Sequence, residues 1–196
     1  MAKGLPIDQI ASVASFFVSR VDSEVDKRLT AAITAAGDDV TKHRLAKLKG
    51  VAAIANARLA YALFRREFSG PRWAALAAKG GRLQRPLWAS TSTKNPAYRD
   101  VMYLEELAGR DTVNTVPPAT LEAFRDHGKV RDALSDTDAS ARASIATIEA
   151  AGIPMASVTA TLLTEGLASF QKSFDTLIAG LERKTASLGR QLLGSH

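Results

Sequence analysis

The sequence of 196 residues contains no cysteine. This absence excludes a disulfide framework and thiolate chemistry, and it is compatible with a reducing compartment. Long hydrophobic runs are also missing, because none approaches the roughly 20 apolar residues that cross a bilayer. The first ten residues lack the apolar core of a signal peptide. We therefore expect a cytoplasmic protein that does not enter a membrane.

Several site signatures are absent as well. The three histidines, His43, His127 and His196, lie far apart without the spacing of metal ligands, so we predict no metal site. There is no glycine-rich phosphate loop. Ser15 and Ser90 have no histidine partner in a suitable element, which argues against serine-hydrolase chemistry.

The charge balance is basic, with 26 lysines and arginines against 20 acidic residues and a formal charge of +6. Such a balance suits anionic partners: nucleic acid, a membrane surface or phosphorylated metabolites. The basic residues are scattered, and the densest cluster, over 42–49, falls on a predicted helix and is interpreted as a solvated face. Because no basic stripe alternates with aromatic residues, nucleic-acid binding ranks last among the alternatives.

Short apolar strands alternate with helical patterns along the first 130 residues. We predict strands over 13–18, 86–91 and 112–116. Between and after them, helices are predicted over 22–29, 41–68, 71–79, 98–108 and 119–126. This alternation is typical of parallel βα units. The first strand is apolar on both faces, so we expect it to be covered on both.

The remainder of the sequence is helical. Helices are predicted over 138–151, 154–164 and 166–187, and the residues from 189 onward are expected to fray. The apolar stripe of the last helix is interpreted as core packing. We therefore predict βα units over residues 1–130 and C-terminal helices over 131–196 that pack on the same domain.

Four segments carry a resemblance to a known family. They are SVASFFVSRVD (Ser12–Asp22), NARLAY (Asn56–Tyr61), RPLWASTSTKNPAYRDVMYLEELAG (Arg85–Gly109) and TVNTVPPATLEAFRDHG (Thr112–Gly128). In order and spacing they resemble transaldolases, especially the actinobacterial type, and the first resembles the sixth barrel strand. The resemblance covers the C-terminal half of such a protein. It implies an α/β fold: the C-terminal portion of a (β/α)8 TIM-type barrel, with about three parallel strands and extra C-terminal helices.

The family's reaction is what the resemblance implies for function. Transaldolases transfer a dihydroxyacetone unit between sugar phosphates through a lysine Schiff base, without metal or cofactor. In the family, the nucleophilic lysine and the aspartate and glutamate that assist proton transfer lie on earlier strands. No predicted strand of this chain contains a lysine. We therefore expect no catalytic residue in this chain. The expected partners are sugar phosphates, and either a complementary N-terminal half or further copies of the chain.

The resemblance does carry over substrate-binding residues. Ser15 matches a serine that faces the sugar, Phe17 an aromatic that shapes the pocket, and Arg20 an arginine that binds the phosphate. A guanidinium offers a fork of donors that fits phosphate oxygens. The alternative for Arg20 is a surface ion pair with Asp22 or Glu24.

The second predicted strand contributes further candidates at the same rim. Ser90 matches a small polar site residue, and Lys94 matches a second cation for the phosphate. Asn114 is interpreted as structural or at the rim. Three alternatives remain open: Lys94 could itself form the Schiff base, the chain could be an inactive transaldolase-derived interaction or sugar-phosphate-binding protein, or it could bind nucleic acid.

Overall fold

The structure is a computed structural model, and it describes residue 4 and residues 6–193, with side chains up to residue 188. Three strands, β1 (Ser12–Phe17), β2 (Gln84–Ala89) and β3 (Val113–Asn114), form one sheet in the order β1-β2-β3. Both pairings are parallel, with Ser15 opposite Leu87 and Leu87 opposite Val113. The predicted set of parallel strands from a partial barrel is confirmed.

Most of the remaining described residues are helical. The helices are α1 (Val18–Ala35), α2 (Asp39–Ala46), α3 (Ala52–Glu67), α4 (Pro71–Ala77), α5 (Met102–Glu106), α6 (Pro118–His127), α7 (Asp138–Ala150) and α8 (Met155–Leu193). In α1 the residues Val21, Val25 and Leu29 recur every fourth position and are buried. This spacing places them on one face, and that face holds α1 against the core.

The helix predicted over 41–68 is wrong, because the structure contains two helices there. Gly50 lies between α2 and α3 with a φ of 73°, a left-handed conformation that glycine adopts without the steric cost of a Cβ. A Cβ at this position would lie 2.9 Å from Cζ of Tyr98. Backbone conformation and close approach together end the helical run that the apolar spacing suggested.

The sheet is covered by protein on one face. Trp88 is 1% exposed, and its Nε1 donates a hydrogen bond to the carbonyl oxygen of Leu107 at 3.0 Å. Phe16 lies on the same side, with its ring centroid 5.7 Å from that of Trp88. On the opposite face, Val13 is 42% and Phe17 41% exposed. The expectation that β1 is covered on both faces is therefore wrong for the described residues.

Contacts divide the chain into two compact units, Met1–Met155 and Ala156–His196. The first unit contains the sheet, and within it α7 packs on α3. The division predicted after residue 130 stays a prediction. In the second unit α8 continues without a break through Gly166, where two helices were predicted. Residues 189–193 extend α8, and the last three residues of the tail that was expected to fray lie outside the described residues.

The apolar stripe of α8 is exposed, so its interpretation as core packing is wrong. The exposed side chains are those of Leu163, Leu167, Phe170, Phe174, Leu177, Ile178, Leu181 and Leu188. Within the described residues, no single helix is long and apolar enough to cross a membrane, although α7 and residues 155–188 taken as a bent pair pass on length and composition alone.

Candidate functional site

Hydrogen bonds tie together the residues that follow the three strands. The backbone nitrogen of Ser19 donates to the carbonyl oxygen of Ser90 at 3.1 Å, and the two hydroxyl oxygens are 2.7 Å apart. Oγ1 of Thr91 donates to Oδ1 of Asn114 at 2.8 Å. In parallel α/β folds, ligands bind at this carboxyl edge of the sheet. The candidate site is therefore built on adjacent and mutually fixed strand ends.

Ser15, Phe17 and Arg20 lie at the end of β1. Side chains alternate along a strand, so Ser15 and Phe17 share the exposed face of β1. Since α1 begins at Val18, directly after the strand, Arg20 lies in the first turn of a helix that was predicted to begin at Asp22. Cζ of Arg20 lies 4.5 Å from the centroid of the Phe17 ring. This is cation–π distance, and it brings the predicted pocket aromatic and the predicted phosphate ligand together.

The ion pair considered for Arg20 is absent from the described part of the chain. Glu24 instead pairs with Lys27 at 3.3 Å and with Arg28 at 2.8 Å. Asp22 accepts hydrogen bonds from two other groups, described below. Arg20 is exposed, its guanidinium lies over the Phe17 ring, and no ion pair joins it to a carboxylate of the described residues.

Ser90 has an unusual backbone conformation for a residue with a side chain. Its φ is 57°, in the sparsely populated left-handed region, which costs a non-glycine residue about 1 kcal/mol or more. Both its carbonyl and its hydroxyl are directed at Ser19. The turn after β2 is thus held in a strained form by the start of α1.

Lys94 lies in the loop after β2, exposed, with Nζ donating to Oγ of Ser92 at 2.8 Å. It lines a cavity of about 240 Å³. The other lining residues are Ser19, Asp22, Ser23, Asp26, Asn95, Tyr98 and Tyr103. Arg20 is not among them, so the structure places Lys94 beside two carboxylates and does not join it to Arg20 in one cavity.

Asp22 is the first member of a buried cluster that sequence reasoning missed. Its Oδ1 accepts a hydrogen bond from the backbone nitrogen of Ala53 at 2.8 Å, and its Oδ2 accepts one from the Tyr103 hydroxyl at 2.7 Å. Burial raises the pKa of Asp22 to about 6, although these two hydrogen bonds lower it in part. Burial and the Asp22 charge in turn raise the pKa of Tyr103, so its hydroxyl remains a donor at neutral pH.

Asp26 is the second member, one helical turn after Asp22. Its Oδ1 accepts from the backbone nitrogen of Gly50 at 3.1 Å, and its Oδ2 accepts a short hydrogen bond from the Tyr98 hydroxyl. Burial, followed by the bond to Asp26, raises the pKa of Tyr98. Two carboxylates of α1 therefore hold the start of α3 and the tyrosines that follow β2. Their i, i+4 spacing, which puts them on one helix face, was the one available sequence signal.

Metal-binding side chains do not gather in the described chain, where no group of three or more histidine, aspartate or glutamate residues is placed to hold an ion. Three parallel strands alternating with helices define the class of protein: a partial βα barrel.

Comparison with known proteins gives the family. Residues 2–181 match the family described as Transaldolase/Fructose-6-phosphate aldolase, and the chain belongs to this family. A transaldolase of Parafrankia sp. (strain EAN1pec) is 48% identical over 188 residues, which cover 95% of this chain and 49% of that protein. Transaldolase 1 of Streptomyces coelicolor is 46% identical over 189 residues, which cover 96% of this chain and 48% of that protein. A transaldolase of Trichodesmium erythraeum is 44% identical over 189 residues, which cover 95% of this chain and 50% of that protein.

The resemblance noted in the sequence is thus confirmed. The chain spans about half the length of the curated relatives it matches. Its three strands contain no lysine. The roles of Ser15, Phe17, Arg20, Ser90 and Lys94 stay predictions.

Proposed function

We propose that this chain supplies the phosphate-binding part of a transaldolase active site. In the complete site, a dihydroxyacetone unit is transferred between sugar phosphates through a Schiff base. The observation that carries the proposal is the Arg20 guanidinium held on the Phe17 ring at the carboxyl end of β1. With sugar phosphates as substrates, the proposed place of action is the cytoplasm.

The surroundings of Arg20 favour an anion. It lies in the first turn of the 18-residue helix α1, where the helix dipole stabilises negative charge. The Phe17 ring restrains the guanidinium, so less side-chain freedom is lost when a phosphate binds. Ser15, on the same strand face as Phe17, and Ser90, directly after β2, are proposed to contact the sugar. Lys94 is proposed as the second cation, and its loop would have to carry it toward the bound phosphate.

The nucleophilic lysine is proposed to lie outside this chain. A Schiff-base lysine acts as a free amine, which desolvation in a pocket favours. Lys94, in the loop after β2, is exposed to solvent, and its Nζ donates a hydrogen bond to Ser92. The three described strands contain no lysine. We therefore propose that a complementary N-terminal half of the family fold supplies it. This lack of a desolvated lysine also favours the second candidate, an inactive transaldolase-derived protein that binds sugar phosphates or a protein partner.

Calorimetric binding tests the phosphate site. The chain is titrated with fructose 6-phosphate and with fructose, and Arg20→Ala is compared with Arg142→Ala, an exposed arginine of α7. We expect Arg20→Ala to weaken binding of the phosphorylated sugar about 10- to 100-fold, the effect of losing a charged hydrogen-bond donor. Arg142→Ala should leave it unchanged. Equal binding by both variants refutes the assigned site.

Borohydride trapping tests the missing lysine. The chain is incubated with fructose 6-phosphate and reduced, and its intact mass is read. The proposal expects no dihydroxyacetone adduct from this chain alone and an adduct when an N-terminal half of the family is added, located on that half. An adduct on this chain that disappears in Lys94→Ala would assign the nucleophile to Lys94 and refute the proposal. Sugar-phosphate binding without an adduct under either condition would favour the inactive candidate.

A further inference from the structure

The most extensive exposed apolar surface of the described chain follows one side of α8. Seven of its large side chains, between Leu163 and Leu188, are 50–64% exposed. Single exposed apolar residues are common on protein surfaces, but a contiguous row of this length marks an interaction surface. This α8 stripe is independent of the site proposed above.

The spacing along the stripe identifies the kind of partner. The seven residues, together with Lys184, recur at alternating steps of four and three over 26 residues from Leu163 to Leu188. An average step of 3.5 is the period of a coiled-coil seam, whereas a helix packed on a globular core has a wider stripe of period 3.6. In heptad notation, Leu167 and Phe174 occupy a positions, and Leu163 and Phe170 occupy d positions. The stripe therefore fits another helix with the same repeat.

A second copy of α8 satisfies this requirement, and the available area is sufficient. At roughly 100 Å² for each large side chain, pairing would remove about 700 Å² per helix from water. Each partner of a stable complex buries about 800 Å², so the stripe has the size of a specific interface. We propose that α8 pairs with α8 of a second chain in a coiled coil, with the two helices antiparallel.

Lys184 determines the direction. It occupies a d position, so in a parallel pair in register it would face its own copy and bring two like charges together inside the seam. In an antiparallel pair centred between residues 175 and 176, it faces Leu167. Its methylene stem can then cover the leucine while the ammonium group reaches water at the helix edge. Antiparallel helix dipoles also attract each other.

The flank of the stripe supports close approach. Every g position carries a small residue: Gly166, Ser173, Gly180 and Ser187. In an antiparallel pair the g flanks of the two helices face each other, so small residues let the backbones come near. Outside its own helix backbone and its two chain neighbours, the nearest described atom to a Cβ at Gly180 would be a guanidinium nitrogen of Arg183 at 3.9 Å. Glycine in a helix interior costs about 1 kcal/mol, and no tight contact among the described residues requires it there.

Sedimentation and light scattering of the full chain over a range of concentrations test the association. The expected species has twice the 20.9 kDa mass of one chain. Leu177→Glu should weaken association about 100-fold or more, because it places two carboxylates in each apolar seam. The matched control Thr176→Glu, on an adjacent position outside the stripe, should not. Gly180→Leu should also weaken it, although this substitution raises helix propensity. A monomer at every concentration, or a dimer that tolerates Leu177→Glu, overturns the proposal.

Introduced cysteines test the direction, because the chain has none of its own. In the double variant Leu167→Cys/Lys184→Cys, the two sites lie about 25 Å apart within one α8 and cannot form a bond within the chain. The antiparallel pair brings them together between chains, so oxidation should produce a covalent dimer. Each single variant should remain uncrosslinked under the same conditions. A covalent dimer of Leu167→Cys alone would show parallel helices and refute the assigned direction.

Discussion

Replacing Asp22 by asparagine should change the pH dependence of stability. Asp22 is 2% exposed, and burial raises its pKa from 3.8 to about 6. A raised carboxyl pKa means that the folded protein holds the proton more tightly than the unfolded chain does. Its contribution is therefore fully present below pH 3.8 and is lost as the pH rises through about 6. At about 1.36 kcal/mol per pKa unit, the whole loss is about 3 kcal/mol, and roughly half of it falls between pH 5 and pH 8.

Urea unfolding followed by tryptophan fluorescence measures this effect, because Trp88 is buried in the same unit. The free energy of unfolding of the unmodified chain is compared with that of Asp22→Asn at pH 5, 6, 7 and 8. We expect the difference between the two proteins to change by about 1.4 kcal/mol across this range, in favour of the variant at high pH. Taking the difference between the two proteins at each pH cancels the contributions that other titrating groups make to the free energy of unfolding. A difference that does not change with pH would refute a buried carboxylate with a raised pKa at position 22.

Three further predictions concern other parts of the first unit. Gly50→Ala should lower the free energy of unfolding by about 1–3 kcal/mol in urea titration, because a Cβ at a φ of 73° is strained and would approach the Tyr98 ring. The protonated imidazole of His127 donates hydrogen bonds to carboxylates, chiefly that of Asp100 at 2.9 Å, and these bonds raise its pKa above the ordinary 6.5. Its imidazole signals in an NMR titration should therefore move at higher pH than those of a free histidine, and Asp100→Asn should lower that midpoint. Trp88→Phe should lower stability by about 2–4 kcal/mol in thermal unfolding, since it leaves a cavity and an unpaired backbone carbonyl.

Sequence patterns predicted the strands and their direction because those features depend on local composition. The run from Val13 to Phe17 is apolar apart from Ser15, and alternation with helices implies parallel neighbours. The extent of burial was not predictable in the same way. Whether Phe17 faces protein or solvent depends on what covers the sheet, and in the described residues that face is 41% exposed at Phe17.

The helix errors have a common cause. The helix is interrupted at Gly50 and continues through Gly166, although both glycines interrupt helical sequence patterns. The difference at Gly50 is tertiary, because Asp26 accepts a hydrogen bond from its backbone nitrogen and the Tyr98 ring lies 2.9 Å from where a Cβ would be. Likewise, Asp22 and Asp26 of α1 form hydrogen bonds with residues far along the chain. Their partners, Tyr98 and Tyr103, lie 72 and 81 residues further along the chain, and only the i, i+4 spacing of the aspartates indicates these bonds in the local sequence.

The two bonds between aspartates of α1 and tyrosines after β2 also have a kinetic consequence. Lys94 precedes Tyr98 by four residues, and both tyrosine hydroxyls are held by α1, the helix that carries Arg20. Opening the loop beyond residue 98 therefore requires breaking two hydrogen bonds to carboxylates, one part-buried and one buried, which is a rare event compared with the nanosecond motion of a free loop. Amide exchange over residues 98–103 should accordingly be as slow as that of α1. The motion left to Lys94 is confined to the short segment between Ser92 and Tyr98.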